Sequence, residues 1–512
     1  MNRAVVLVAL AASLGNLLQG WGNATIAGSL LYIKKEFNLE NEPKVEGLIV
    51  VMSLVGAAII TTCSGTIADR LGRRSVLMLS SVLYFLSGLV MLWTPNVYVL
   101  LLARLLNGFG IGLSVTIVPV YISETSPPEI RGLLNTLPQF TGSGGLFLSY
   151  CMVFGMSLMT APSWRLMLGV LSVPSFFYFA FTVFFLPESP SWLVSQGKTL
   201  EAKHVLQKLR GKEDVSGEMA LLVEGIEFGK DVKYNVISST DDHKDATTAV
   251  SKSDDNLKSP LLSPHQIVPI TIAPPSESAL KRPKLSELLE PGVRHALIVG
   301  IGLQLFQQFS GINGVIYYTP QILEQSGVAV LLSNMGIGSE STSLLVSGIT
   351  TLLMLPCIAI TMRLMDISGR RRLLLNTVLV MTMALVILII ANMDLKMNSV
   401  ICALLSTVGV VVYICSFVMG FGPIPNILCS EIFSTRVRGL GSAVCSLAYW
   451  TGDITVTYTF PVLLNSIGLA GVFSVYAVVC AVSWVFVFLN VPETKGMPLE
   501  LISELFIVIQ QK

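Results

Sequence analysis

Charge is the scarcest feature of this 512-residue chain: Asp, Glu, Lys and Arg together make up 13% of it, against 52% hydrophobic residues. Soluble domains carry roughly 25% charged residues, so an ordinary water-soluble fold is excluded. Lys and Arg number 33 and Asp and Glu 32, and the resulting net charge of +1 leaves no basic surplus for a nucleic-acid partner. Histidine is nearly absent. His204, His243 and His265 fall in a polar central segment and His295 at its exit, which excludes an imidazole proton relay inside an apolar run. The eight cysteines, at 63, 151, 357, 402, 415, 429, 445 and 480, show no CxxC spacing. They are expected to be small core hydrophobes, not disulfides or metal ligands. No Ser/His/Asp or metal-ligand set stands in the apolar runs, so no enzyme activity, metal or cofactor is expected.

Long apolar runs are what the chain has in abundance, and its mean hydropathy is +0.71. A helix needs about 20 apolar residues to cross a bilayer. Such runs recur near 4–30, 47–66, 75–94, 97–119, 133–158 and 164–186, then near 294–318, 342–364, 373–391, 399–425, 440–464 and 468–490. The expectation is an all-α membrane protein of about twelve transmembrane helices in two groups of six. Its parts read as an N-terminal half over 1–186, a cytosolic linker over 187–290, a C-terminal half over 291–491 and a cytosolic tail over 492–512. A cleavable signal peptide is not expected, because the first run is too long and lacks a small-residue cleavage site. In the linker, "EAKHVLQKL" has helical spacing, whereas "SSTDDHKDATTAVSKSDDNLKSPLLSPH" is too polar for a packed core. Short surface helices are expected up to about Gly225 and disorder over 229–283. Arg70, Arg73, Arg74, Arg131, Arg370, Arg371, Arg372, Arg436 and Arg438 follow spans 2, 4, 8 and 10, all on one side. The opposite loops offer mainly Lys34, Lys35, Lys44 and Lys396, so the Arg-rich side is expected to face the cytosol.

Three motifs occur twice, in one order, at offsets of about 300 residues. "DRLGRR" (Asp69–Arg74) recurs as "DISGRR" (Asp366–Arg371), "ETSPPEIRG" (Glu124–Gly132) as "EIFSTRVRG" (Glu431–Gly439), and "PES" at Pro187 as "PET" at Pro492. Such duplication marks two halves of the same topology, with a binding site between them near the bilayer midplane. The motifs also place acids beside guanidinium forks, which hold a carboxylate by two parallel hydrogen bonds. Asp69, Arg73, Arg74, Glu124, Arg131 and Glu188 are therefore expected to latch across to Asp366, Arg370, Arg371, Glu431, Arg438 and Glu493 and shut the Arg-rich end. Positive-inside bias would account for the arginines alone, but needs neither the acids nor the fixed spacing.

Polar interruptions inside the runs mark the candidate site. "QLFQQFSGINGVIYY" (Gln304–Tyr318) puts Gln307, Gln308 and Asn313 in the seventh span, beside Ser310, Gly311 and Gly314. An amide without a partner in an apolar medium costs roughly 2–7 kcal/mol. These three need helix neighbours or a wet cavity, and the adjoining glycines favour the cavity. "GFGPIPN" (Gly420–Asn426) breaks the tenth span with two prolines, a natural hinge. In the first span "LLQGWGNATIAGS" (Leu17–Ser29) is a polar notch centred on Gly22. Arg104 in "LLARLLNG" is a charge within the fourth span, which costs about 2.5–3.5 kcal/mol on insertion scales. Asp453 in "WTGDIT" reads as the one acid deep in any span.

Together "GTIADRLGRR", "PVYISETSPPEIRG", "PESPSWL", "QQFSGINGVIYY", "GFGPIPN" and "PETKG" resemble the sugar porter family of the major facilitator superfamily, over essentially the whole chain. "GNATIAGSLLYIKKEFNLE" and "PQFTGSGGLFLSYCMVFGMSL" look most like the plant tonoplast monosaccharide transporters, which have a longer central loop. The resemblance implies the major facilitator fold and a hexose carrier working by proton-coupled sugar antiport into the vacuole. The vacuolar membrane is the implied location and the plasma membrane the alternative. It implies that Gln307, Gln308 and Asn313 contact sugar hydroxyls and that Tyr317 and Tyr318 gate the outer side. Gln139 and Trp450 are expected to face the same pocket, unless Trp450 serves core packing, and Asp453 lies one turn beyond it. Asn426 stands where the best-known hexose carriers have Trp, and Val418 where they have Glu, so the pocket wall differs. Proton-coupled members carry an Asp at the position of Gly22, paired with the arginine that matches Arg104. Without that acid, either the chain is a proton-independent facilitator or Asp453 has taken over the protonatable role. A non-transporting sugar sensor is the rival from another class. The expected partners are a hexose, protons and the lipid bilayer.

Overall fold

The computed structural model describes residues 3–39, 41–127, 130–159, 161–220, 222–223, 291–328, 338–393, 398–433 and 437–493. The disorder expected over 229–283 and the cytosolic tail beyond 493 lie outside them, as do Arg436 and the side chains of Asp366 and Arg438. The chain clusters into two compact units, Met1–Val215 with Leu285–Lys512, and Ser216–Lys284. Of the second unit only 216–220 and 222–223 are described.

No strand occurs among the described residues. In the first unit the N-terminal half contains α1 (Arg3–Glu36), α2 (Pro43–Leu71), α3 (Arg73–Leu92), α4 (Val97–Thr125), the single turn α5 (Arg131–Leu134), α6 (Leu137–Ser157), α7 (Trp164–Gly169) and α8 (Ser172–Phe184). Two short helices follow, α9 (Pro190–Ser195) and α10 (Thr199–Arg210). The C-terminal half contains α11 (Pro291–Phe309), α12 (Ile312–Gln325), α13 (Ser339–Ser368), α14 (Arg370–Asn392), α15 (Ser399–Met419), α16 (Ile424–Glu431) and α17 (Arg438–Asn490). Among the described residues nine helical stretches are long and apolar enough to cross a bilayer. The more polar α6, and the broken pair α11 and α12, add two crossings. At 1.5 Å per residue α17 would be about 80 Å long, far more than one hydrocarbon core. It holds two crossings that meet at Gly468, where φ is +68°. Its second arm turns Val478, Val482, Val485 and Leu489 outward at helical spacing, a face suited to lipid and not to water.

Close helix approach rests on small residues. A Cβ on Gly56 would stand 2.5 Å from the Leu105 carbonyl oxygen, and one on Gly108 would run into that of Ser53, so α2 and α4 touch backbone to backbone. α2 begins at Pro43, earlier than the run of apolar residues suggests, because proline suits a first helical turn. Glu46 is thereby drawn into the helix and is only 3% exposed. Asp453 thus has a buried acidic counterpart at a span end, though not deep in a span.

The two halves meet at the end opposite the arginine loops. Gly47 of α2 packs on the Tyr458 carbonyl of α17, Gly28 of α1 on Leu344 of α13, and Ser157 of α6 donates a hydrogen bond to Ser341 Oγ at 2.8 Å. Toward the arginine end polar side chains are uncovered. Thr62 and Cys63 on α2, Gln139 on α6, and Ser446 and Thr451 on α17 are all exposed there.

Candidate functional site

Gly311 breaks the seventh span. Its φ of +93° ends α11, and the ring of Tyr476 occupies the place of any Cβ, so only glycine fits. α12 restarts at once and brings Asn313 to the end of α11 and to α17. Asn313 Nδ2 donates to Gln308 Oε1 at 2.7 Å and to Asp453 Oδ1 at 2.8 Å. Thr457 Oγ1 donates to the same carboxylate oxygen at 3.2 Å. Gln308 also bonds Tyr449, whose ring stands edge-on to Trp450 with centroids 5.5 Å apart. The structure therefore gathers Gln308, Asn313, Trp450 and Asp453 in one place.

A second group ties α11 to the proline-broken segment between α15 and α16. Gln307 Nε2 donates to the Gly422 carbonyl at 2.7 Å, and Gln304 Nε2 to Asn426 Oδ1 at 2.9 Å. Oε1 of Gln304 and of Gln307 is buried without a protein partner, and so is the Tyr318 hydroxyl. A buried unpaired acceptor costs about 1–3 kcal/mol and calls for a ligand or water. Tyr317 is 3% exposed, and Tyr318 stacks on Phe460 at 4.7 Å. Gln139 is exposed on α6 and shares no hydrogen bond with these groups among the described residues. Gln304, Tyr449 and Thr457 join the site although the sequence does not single them out. Gln304 lies one turn before Gln307 and Thr457 one turn after Asp453, and that spacing is the signal that could have found them.

Arg104 is 1% exposed and spends its donors on neutral acceptors of α2: the Ile49 and Val50 carbonyls, each at 3.2 Å, and Ser53 Oγ at 2.8 Å. Facing α4 from α1, Gly22 has room. A Cβ there would find only the Asn107 amide, with Oδ1 at 3.7 Å and Nδ2 at 4.0 Å.

The arginine motifs pair differently from the expected cross-half latch. Arg73 reaches Glu124 Oε2 at 3.1 Å and Asp69 Oδ1 at 3.0 Å, and Glu188 Oε1 accepts from the backbone N–H groups of Arg73 and Arg74. In the second half Arg370 reaches Glu431 at 3.4 Å, and Glu493 accepts from the N–H groups of Arg370 and Arg371. Arg74 and Arg371 donate to carbonyls at the ends of the sixth and last spans, of Val183 and Phe488. Arg131 is exposed, and its Nη2 donates to the Ser126 carbonyl at 3.5 Å. The described partners lie within each half because the α2–α3 and α13–α14 turns sit beside the ends of their own helices.

The family model for sugar (and other) transporters matches residues 8–250 and 241–506. Monosaccharide-sensing protein 2 of Arabidopsis thaliana is 48% identical, covering 98% of both chains, in an alignment 716 residues long that includes sequence this chain lacks. The putative metabolite transport protein YwtG of Bacillus subtilis (strain 168) is 32% identical, covering 96% of this chain and 93% of its own length. Among solved structures, the inward-open xylose transporter XylE from E. coli superposes with a TM-score of 0.74 at 23% identity, covering 98% of this chain and 99% of its own. That likeness shows the major facilitator fold.

Proposed function

Since the chain belongs to the sugar (and other) transporter family, we propose that it carries a monosaccharide across a membrane by rocking its two halves about the amide groups of α11 and α12 and the Asp453 carboxylate of α17. One observation carries this reading: Gln307 and Gln304 keep buried, unpaired Oε1 atoms next to the bonded set Gln308–Asn313–Asp453. Amides and a carboxylate can exchange hydrogen bonds with vicinal hydroxyls, while the Tyr449–Trp450 pair offers an apolar surface to a sugar ring. The carrier must release what it binds, so a millimolar site, about 4 kcal/mol, is adequate. Contact between the halves at one end and uncovered polar side chains at the other support an alternating cycle, with the arginine end as the cytosolic end and open in this form.

The finer reading is exchange of a hexose for protons into the vacuole, with Asp453 as the protonatable group beside the sugar. A proton-independent facilitator is the second reading, favoured by the neutral surroundings of Arg104 and the empty place at Gly22. The name of the monosaccharide-sensing relatives supports a third role, sensing, which predicts binding without net flux. Hexose uptake by proteoliposomes containing the purified chain, with and without an imposed pH gradient, separates the three. Gradient-driven accumulation supports exchange, equilibration alone supports a facilitator, and saturable binding without uptake supports a sensor.

A further inference from the structure

The junction between the halves holds an ionic ring closed across it. Glu46, in the first turn of α2, is 3% exposed, and its Oε2 lies 2.9 Å from Lys34 Nζ in the last turn of α1. Both belong to the N-terminal half. Gln321 of α12, 8% exposed, comes from the other half. With its amide oriented to satisfy both neighbours, Gln321 Nε2 donates to Glu46 Oε1 at 3.0 Å and its Oε1 accepts from Lys34 Nζ at 3.2 Å. A single neutral side chain thus closes the ring on an ion pair of the opposite half. Nearby, Lys35 pairs with Glu340 at the start of α13, but the lysine side chain is 60% exposed.

We propose that Lys34, Glu46 and Gln321 form the lock that holds the end away from the arginine loops shut, with Gln321 as its state-dependent member. This rests on the rocking reading above. When the halves part at this end, α12 carries Gln321 away and two charge-assisted hydrogen bonds are lost together, whereas the Lys34–Glu46 pair stays within its half and is hydrated. Bonds to ionised groups are about twice as strong as neutral ones, and burial spares these two from water and salt. The exposed Lys35–Glu340 pair is screened and contributes little. The buried ring therefore sets the balance of states, and the outer pair does not. These are positioning residues, since none of them reaches the amide groups of the candidate site.

The test uses the full chain in proteoliposomes, with Leu344→Cys as a reporter. Leu344 is fully buried at this junction against Gly28. Labelling by a membrane-impermeant maleimide from the junction side, above the rate without the added cysteine, reads opening at that end. Gln321→Leu removes both bonds, and Glu46→Gln removes the charge at constant shape, so the second variant serves if the first misfolds. Glu46→Gln is expected to speed labelling about tenfold, the equivalent of one weakened bond to a charged group, and Gln321→Leu, which loses both bonds, by more than that. The apparent KM for sugar offered from that side should fall together with Vmax, a split that mere loosening of the fold does not give. Lys35→Ala should stay within about twofold of the native chain. Labelling at the native rate in both Gln321→Leu and Glu46→Gln overturns the lock. If saturating sugar leaves labelling of the Leu344→Cys reporter with an intact ring unchanged, the rocking cycle falls, and the lock with it.

Discussion

Gln307 uses its amide nitrogen to hold the Gly422 carbonyl and keeps its oxygen buried without a protein partner, which leaves an acceptor for a visiting donor or a water. Gln307→Ala removes that acceptor and loosens α11 from the hinge without touching the arginine motifs. Saturable hexose uptake should weaken by roughly 10–100-fold, the range of one to two hydrogen bonds left unmade, while the variant still elutes as a monodisperse species. Native uptake by the variant would remove Gln307 from the site. Gly22 sets a second test, because there is space at its Cα and a charge on α4 held only by neutral groups. Gly22→Asp sets a carboxylate against Asn107, one turn along α4 from Arg104, and should steepen accumulation under an imposed proton gradient, and Asp453→Asn measures what the present acid contributes. If Asp453→Asn abolishes accumulation, the sugar-side carboxylate is the coupling group; if only Gly22→Asp changes it, the native chain is a facilitator. The amides of α11 were legible as residues because each is an expensive exception inside an apolar run. Glu46 and Gln321 were not, because polar residues near the end of a span cost little and carry no such signal.

Two helices begin on the same device. At α3 and α14 the turn glycines Gly72 and Gly369, with φ of +92° and +83°, leave room for a glutamate from a distant loop to cap the helix. A Cβ on Gly72 would stand 2.5 Å from Glu188 Oε2, and one on Gly369 2.6 Å from Glu493 Oε2. The carboxylate takes two of the orphan N–H groups of the first turn and faces the positive end of the helix. Glu188→Ala should therefore lower stability by about 1–2 kcal/mol, read as a fall in melting temperature in detergent. Glu188→Gln, which keeps an acceptor, should lose less. Equal losses in the two variants would mean that the capping bonds are not what the residue contributes. The sequence showed that D-x-x-G-R-R occurs twice and stands at helix ends. It could not show that each copy serves its own half, since a repeat tells which places are alike and not which ones touch.

The division into two six-helix halves was plain from three ordered repeats and the spacing of apolar runs, since lipid imposes length and apolarity on every crossing. The state of the carrier was not, because both states bury the same apolar runs and differ in a few polar contacts at either end. In the form described, the junction end is shut by the Lys34–Glu46–Gln321 ring, and at the arginine end the described acid–base pairs lie within single halves. Arg131, exposed on the linking turn after α4, is available to reach a carboxylate of the opposite half once that end closes. A bond made there would exceed its long contact to the Ser126 carbonyl in the form described, so its removal is expected to weaken the closed form more and shift the population toward the arginine-end-open form. Cys63, exposed on α2 at that end, is a native reporter. In the native chain, saturating sugar should slow maleimide labelling of Cys63 as the carrier spends time closed there, whereas in Arg131→Ala labelling should stay fast with sugar present. If sugar protects Cys63 equally in both, Arg131 makes no bond that depends on the state, and closure at this end rests on other groups.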